Sequence, residues 1–296
     1  MAKRVAILGE VASWHVKELE RAFGVRGWET AVVDAGDFRA AEGLLHRAPR
    51  PEVLWVRHLS SGNTEQTIFR MDLLYHCAFQ GMWVINPPEA LERAVDKYFT
   101  QMLLERADLP VVPTVVSESR ERILERLDAW GTVVVKPLFG SQGKGLFLLE
   151  DKDVAWRVLT MLGKVGTVFL AQPYIPYRRD VRAFVVNDRV LAQMERKSGD
   201  WRANVARGAV PAAAALPARA RRLAVEAAHV LHCWYAGVDL LETAEGEWRI
   251  LEVNGIAGWQ GLQRVTPFNL ADRLAEEVDH ALGGHRDHKL AGGSER

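Results

Sequence analysis

Cysteine is scarce. Cys77 and Cys233 are the two in 296 residues, too few and too far apart for the disulfide framework of a small secreted domain. Both lie in apolar, helix-like surroundings and read as reduced core residues. Net charge is missing too: 38 basic and 38 acidic side chains leave no overall field to draw the chain onto nucleic acid or an anionic membrane. No apolar run approaches the length that spans a bilayer, and the VAILG at 5–9 reads as a first strand rather than a signal peptide. Two glycine signatures are also absent. No GxGxxG follows that strand, and the Gly143-Lys144 pair is followed by Gly145 instead of Ser or Thr, which excludes a Walker A loop. The expectation is a cytoplasmic protein without nucleic-acid or membrane partners, and its 48% apolar content is enough to fill two or three packed units.

What is present begins as alternation. Strands at 5–8, 30–33, 53–56 and 83–85 are separated by helical stretches at 13–23, 40–46 and 64–79, the pattern of a small parallel sheet with helices on its faces. Ligands of such sheets bind beyond the strand ends, where His15, Arg57 and His58 fall, although each residue type is more often a surface or capping side chain than a catalytic one. Asn86-Pro87-Pro88 then breaks the chain and starts a helix predicted to reach Arg106. An edge-like strand at 109–116, a helix at 118–130 and a buried strand at 132–138, TVVVKPL, follow. Lys136 interrupts that buried run, and a lysine there is costly unless it meets an anion.

The loop Gly140-Ser141-Gln142-Gly143-Lys144-Gly145 lies between this strand and another at 146–149. Its backbone N–H groups suit a flap over phosphates; alone it is a weak signal, and Lys136 just upstream tips the balance. Beyond it come a helix at 153–162, a strand at 167–171 and an extended hinge, Gln172-Pro173-Tyr174-Ile175-Pro176. Strands at 181–186 and 189–195 turn at Asn187-Asp188, and an Arg-rich loop follows at 201–208. Helices are expected at 216–235 and 269–282, with a frayed polar tail from 283.

The stretch 236–262 carries most of the chemistry. It reads as strands at 237–243 and 248–254 joined by a Gly/Glu-rich turn. Period-two alternation puts Glu252 and Asn254 on one face, and a hairpin brings Asp239 beside them. Two carboxylates and an amide carbonyl are hard oxygen ligands of the kind that suit Mg²⁺ bridged to phosphates. The plainer reading makes them exposed hairpin charges, but Ile250, Leu251 and Val253 mark a largely buried strand, where an unpaired carboxylate costs several kcal/mol. Phosphate-suited lysines, a glycine flap, a hinge and acidic metal ligands together describe a nucleoside-triphosphate site without a P-loop.

In order and spacing these segments resemble the ATP-grasp superfamily, and within it the RimK-like amino-acid (alpha-L-glutamate) ligases. The resemblance covers 84–282 and rests on NPPEALERAVDK at 86–97, VVKPLFGSQGKG at 134–145, QPYI at 172–175, DVRAFVV at 180–186, MERKSGDWRANVARG at 194–208, and GVDLL with LEVNGIAG between 237 and 258. It implies a mixed α/β and α+β fold: an N-terminal Rossmann-like pre-ATP-grasp domain at 1–86, a central lobe with the flap at 87–171, a C-terminal lobe with the metal site at 172–283, and a disordered tail at 284–296, the two α+β lobes enclosing ATP.

Residue by residue, it implies that Lys97 and Lys136 bind ATP phosphates under a flap that includes Gly140, Ser141, Gln142 and Gly143. Gln172, Pro173, Tyr174 and Ile175 form the adenine edge, with the Pro173 carbonyl and the Ile175 N–H meeting the base, and Asp180 meets the ribose. Asp239, Glu252 and Asn254 are the ligands of two Mg²⁺ ions, with Mn²⁺ as a substitute. Arg196 and Arg207 lie by the transferred phosphoryl group and the acyl-phosphate.

The implied reaction is carboxylate–amine ligation through an acyl-phosphate, adding an amino acid such as glutamate to a small molecule, cofactor or peptide, in a homo-oligomer (dimer or tetramer). GIAGWQG after Asn254 departs from the Ser-Pro-Gly-type stretch of RimK itself and points towards ligation to a methanopterin-type cofactor, with Trp259 either stacking on a flat ring or filling the core. Competing readings are a non-catalytic ATP-binding regulator, which would be expected to have lost phosphate lysines or metal ligands, and a ligase of the D-alanine type.

Overall fold

The computed structural model describes residues 2–35, 43, 50–60, 62–139, 145–199 and 208–291. All of the predicted helix at 40–46 except residue 43, the flap residues Gly140, Ser141, Gln142 and Gly143, and Arg207 lie outside the described residues.

The chain divides into two compact units, Met1–Pro88 with Gly258–Arg296, and Glu89–Ala257. In the first, β1 (Arg4–Gly9), β2 (Glu29–Asp34), β3 (Val53–Val56) and β4 (Trp83–Ile85) form a parallel sheet in the order β2-β1-β3-β4. Val5–Leu8 and Val53–Val56 are continuous buried runs because a parallel sheet is covered on both faces. Helices α1 (Trp14–Val25) and α2 (Thr64–Phe79) supply the crossovers. Asn63 starts α2 with a capping box: its side chain accepts from the Gln66 N–H at 2.9 Å, and the Gln66 side chain accepts from the Asn63 N–H at 3.0 Å.

The last helix belongs to this first unit. It runs Leu270–Ala291, past the frayed end expected at 283 and into the segment expected to be a disordered tail. Asp279 anchors it by accepting from Lys3 at 2.6 Å, from the Trp28 indole at 3.1 Å and from Arg26. Glu18 accepts from Asn269 at 2.9 Å. These partners lie about 250 residues away in sequence, so local patterning could not reveal them.

The unit's strand-end residues form an interlocked cluster. The His15 Nε2 accepts from the Trp259 N–H at 3.0 Å, and the Arg57 guanidinium stacks 4.6 Å from the centre of the Trp259 ring. Burial, with Arg57 adding repulsion, pushes the His15 imidazole down to about 3. Its folded value lies below the unfolded one near 6.5, so its contribution is present above pH 6.5 and lost as pH falls towards 3. Acidification from pH 6.5 to 4.5 is therefore expected to remove roughly 2 kcal/mol from this unit. Urea unfolding of wild type and His15→Gln at the two pH values checks this, and the variant should lose that part of the pH dependence.

In the second unit the expected single helix ending at Arg106 is two: α3 (Pro88–Val95) and α4 (Lys97–Arg106). Asp96 divides them by capping α4, accepting from the Tyr98 and Phe99 N–H groups at 2.9 and 3.0 Å. Lys97 is thereby the first residue of α4. The segment predicted as a strand at 109–116 is strand only at β5 (Val115–Ser117). Its Pro110–Val112 part instead pairs with Ile250, which donates to the Pro110 carbonyl at 2.8 Å.

Two antiparallel sheets follow. One has the order β5-β8-β6-β7, from β6 (Val133–Pro137), β7 (Phe147–Leu149) and β8 (Phe169–Pro173). The other has the order β11-β10-β9-β12-β13, from β9 (Tyr177–Val186), β10 (Arg189–Lys197), β11 (Val210–Ala213), β12 (Tyr235–Thr243) and β13 (Trp248–Asn254). Helices α5 (Arg120–Trp130) and α6 (Lys152–Lys164) pack on the first sheet, and α7 (Ala218–Val230) on the second. Both sheets lie inside one compact unit, whose C-terminal limit is Ala257.

Candidate active site

Alternation on each sheet separates a helix-covered apolar face from a polar one. On β6 and β8, Val133, Val135, Phe169 and Ala171 are in the core. Val134 pairs with Gln172 and Lys136 with Leu170, so Lys136 and Gln172 share the opposite face. On the larger sheet, Val181, Ala183, Val238, Leu240, Ile250 and Val253 face α7, and Asp180, Arg182, Gly237 and Asp239 take the other side.

Simple alternation from Asn254 would put Glu252 and Ile250 on one face. A bulge prevents this: Asp239 pairs with Glu252 and Leu240 with Ile250, leaving Leu251 as the extra residue. Ile250 is thereby turned into the core while Glu252 stays opposite Asp239. Gly237 pairs with Asn254, so Asp239, Glu252 and Asn254 meet on one face, as the spacing predicts.

Lys97, Lys136, Gln172 and Glu252 line one cleft of about 410 Å³, part of it open to solvent. Burial lowers the Lys136 ammonium from the usual lysine range; Glu252 opposes that shift and Lys97 adds to it. The Lys97 ammonium donates to the Leu138 carbonyl at 3.4 Å. Gln172 is buried, donates to Thr114 Oγ1 at 2.9 Å, and has its Oε1 without a hydrogen-bond partner among the described residues. At the hinge, Pro173 ends β8, and the Tyr174 N–H is already spent on the Thr132 carbonyl at 2.9 Å. Ile175 is half-buried just beyond them.

Beside the cleft residues runs a buried ionic chain. Asp239 accepts from Arg182 through both oxygens, at 2.9 Å for Nη2 with Nε at the other oxygen, and from Arg196 Nη1 at 3.1 Å. Arg196 also donates to Asp180 from Nε at 2.7 Å and from Nη2. Burial pushes Asp180 up to about 6 against the pull of Arg196. Burial would raise Asp239 too, but Arg182 and Arg196 hold it below the usual carboxylate range. Burial would lower Arg196, but Asp239 and Asp180 outweigh it and raise the group above the usual arginine range, so the buried guanidinium stays charged.

These contacts change the weight of two sequence expectations. Asp180, assigned to a ribose, is engaged with Arg196, and Asp239 enters the metal set already carrying two arginines. Among the described residues those arginines donate to Asp239 and Asp180, and Glu252 lies outside that network. The Asn254 Nδ2 is buried without a partner there. This donor set of hard oxygens beside lysines fits Mg²⁺ with phosphate. Arg182 falls within the strand predicted at 181–186, and the sequence assigns it no role. Its i,i+2 spacing from Asp180 and its place opposite Asp239 were the signals that could have singled it out.

The first unit decides between the two readings of Trp259. Trp259 is wholly buried beneath His15, Trp14 and Arg57, so it fills the core and offers no face to a flat ring. Both cysteines are buried, with thiols pushed up to about 11 at Cys77 and about 12 at Cys233 by desolvation. They are inert packing residues.

Residues 94–278 match the model of a RimK-like ATP-grasp domain. A tetrahydromethanopterin:alpha-L-glutamate ligase of Methanocaldococcus jannaschii is 36% identical over 220 residues, covering 72% of this chain and 75% of that protein. A probable alpha-L-glutamate ligase of Legionella pneumophila is 31% identical over 219 residues, 72% of each chain. Among solved structures, the ATP-grasp ligase PsnB complexed with minimal precursor, Mg and ADP superimposes with a TM-score of 0.74 over 93% of this chain and 97% of its own, at 21% identity, a likeness of fold.

Proposed function

This chain belongs to the RimK-like ATP-grasp family, and we propose that it joins the amine of glutamate to a carboxylate of a pterin-type cofactor, using ATP and Mg²⁺. The observation that carries the reading is the convergence of Lys97, Lys136 and Glu252 in one cleft, beside Asp239 and Asn254. Lysines there offset the charge of the triphosphate, and the two-sheet frame holds them in place before substrate arrives. Glu252, Asn254 and the remaining lone pair of Asp239 would hold the metal, as two ions that Mn²⁺ can replace. When bound, Mg²⁺ supplies charge neutralisation at the phosphoryl oxygens.

In the reaction, a carboxylate oxygen attacks the γ-phosphorus and ADP leaves. The amine then attacks the acyl carbon and inorganic phosphate leaves. Arg196, held by Asp180 and Asp239, is assigned on the family resemblance to the charge that develops on the transferring group. Arg207 and the flap Gly140, Ser141, Gln142 and Gly143 are assigned to the acyl-phosphate and the triphosphate on the family resemblance, and Gln172 with the hinge carbonyls to the base. No nucleophilic side chain is needed, since phosphoryl transfer is governed by positioning and charge.

The test crosses amino acids with tetrahydromethanopterin, other folate-like pterins and acidic peptides, following ADP release and product mass. Glutamate with a pterin should give ADP and a product heavier by one glutamyl residue. Turnover only with a peptide acceptor would contradict the substrate assignment.

A further inference from the structure

Arg182 is held by both oxygens of Asp239, and the site as described gives it no task. It comes from β9, one strand from β10 of Arg196 and next to β12 of Asp239. Its guanidinium meets Asp239 with two parallel donors, the planar fork that lysine cannot reproduce. Asp239 hands its other bond to Arg196, and Arg196 closes on Asp180. The order is Arg182–Asp239–Arg196–Asp180, running across three adjacent strands.

Gly237 makes room for the first link. A Cβ at that position would stand 2.5 Å from Arg182 Nη1, 3.1 Å from its Cδ and 2.9 Å from the Ala257 methyl. Backbone conformation does not demand glycine here, because Gly237 is in the middle of β12. A glycine weakens a strand interior and often marks a site of close approach; here the Arg182 side chain lies across it.

We propose that Arg182 is a positioning residue for phosphoryl transfer: by fixing the plane of the Asp239 carboxylate it fixes the Arg196 guanidinium, and Gly237 is the slot that lets it do so. Arg182 itself need not touch substrate. The inference rests on the role given to Arg196 above. A misplacement on the order of 1 Å costs up to about 10²-fold in rate, which sets the size of effect.

The experiment is a double-mutant cycle in the full-length protein, read as kcat and as KM for ATP. Arg182→Lys keeps the charge and loses the fork; it is expected to lower kcat about 10- to 100-fold while KM for ATP changes by less than about 3-fold. Arg196→Lys should lower kcat at least as much, and the double variant should be no worse than Arg196→Lys alone, because coupled residues are non-additive. Gly237→Ala retains every charge and should reproduce the Arg182→Lys phenotype, which keeps the test valid if Arg182→Lys folds poorly. In wild-type protein the Arg196 Nε–H should give a slowly exchanging NMR signal that both Arg182→Lys and Gly237→Ala lose.

A loss at Arg196 with fully additive effects, or with Arg182→Lys and Gly237→Ala at wild-type kcat, would overturn the positioning role and leave the ligase reading standing. Wild-type kcat in Arg196→Lys would overturn both the proposal and the role of Arg196 beneath it.

Discussion

Glu252→Gln is expected to lower Mg²⁺-ATP turnover by a factor on the order of 10² or more, with the fold intact. The substitution keeps the shape and one oxygen while removing a carboxylate that, among the described residues, neither Arg182 nor Arg196 engages. Asp239 cannot make up the loss, because its oxygens are shared between Arg182 and Arg196. Folding should hold because Glu252 is outside the core that Ile250 and Val253 enter. Steady-state ADP release with thermal unfolding in parallel checks both halves. Turnover within about 3-fold of wild type, or an equally large loss of stability, would show that Glu252 is not a metal ligand.

Lys136→Met is expected to act in opposite directions on activity and stability. Burial lowers the folded pKa of this lysine, so the unfolded chain holds the proton more tightly and the residue costs stability at any pH below its folded value. Methionine fills similar space without that cost, so the melting temperature should rise by a few degrees. Activity should fall by about 10³-fold or more, since the charge that meets the triphosphate is gone. Calorimetry at neutral pH and kinetics across ATP concentration measure the two effects. A variant that is destabilised and still active would make Lys136 a structural partner of Glu252.

Much of the site is legible in local sequence. The alternation that places Glu252 and Asn254 together is a local property of β13, and Lys136 stood out as a charge in a buried run. The parallel sheet of the first unit and the turn at Asn187, where φ is 51°, also follow from local pattern. Other features depend on partners far away in sequence. The bulge at Leu251 is imposed by the need to bury Ile250 against α7. The split at Asp96 follows from a cap that competes with helix continuation. The last helix joins the first unit because Asp279 finds Lys3, Arg26 and Trp28. Arg182 was visible as a residue, but its role emerges only when three strands are set side by side.

A carboxylate activated by phosphorylation leaves one of its oxygens in the phosphate released, so isotope transfer reports on that step. Purified protein is given ATP, Mg²⁺, glutamate and the pterin acceptor, with ¹⁸O placed in the acceptor carboxylate in one reaction and in glutamate in another. ADP is expected as the nucleotide product, with one ¹⁸O in inorganic phosphate from the labelled acceptor and none from labelled glutamate. Label appearing in AMP, or phosphate that stays unlabelled while amide forms, would contradict it.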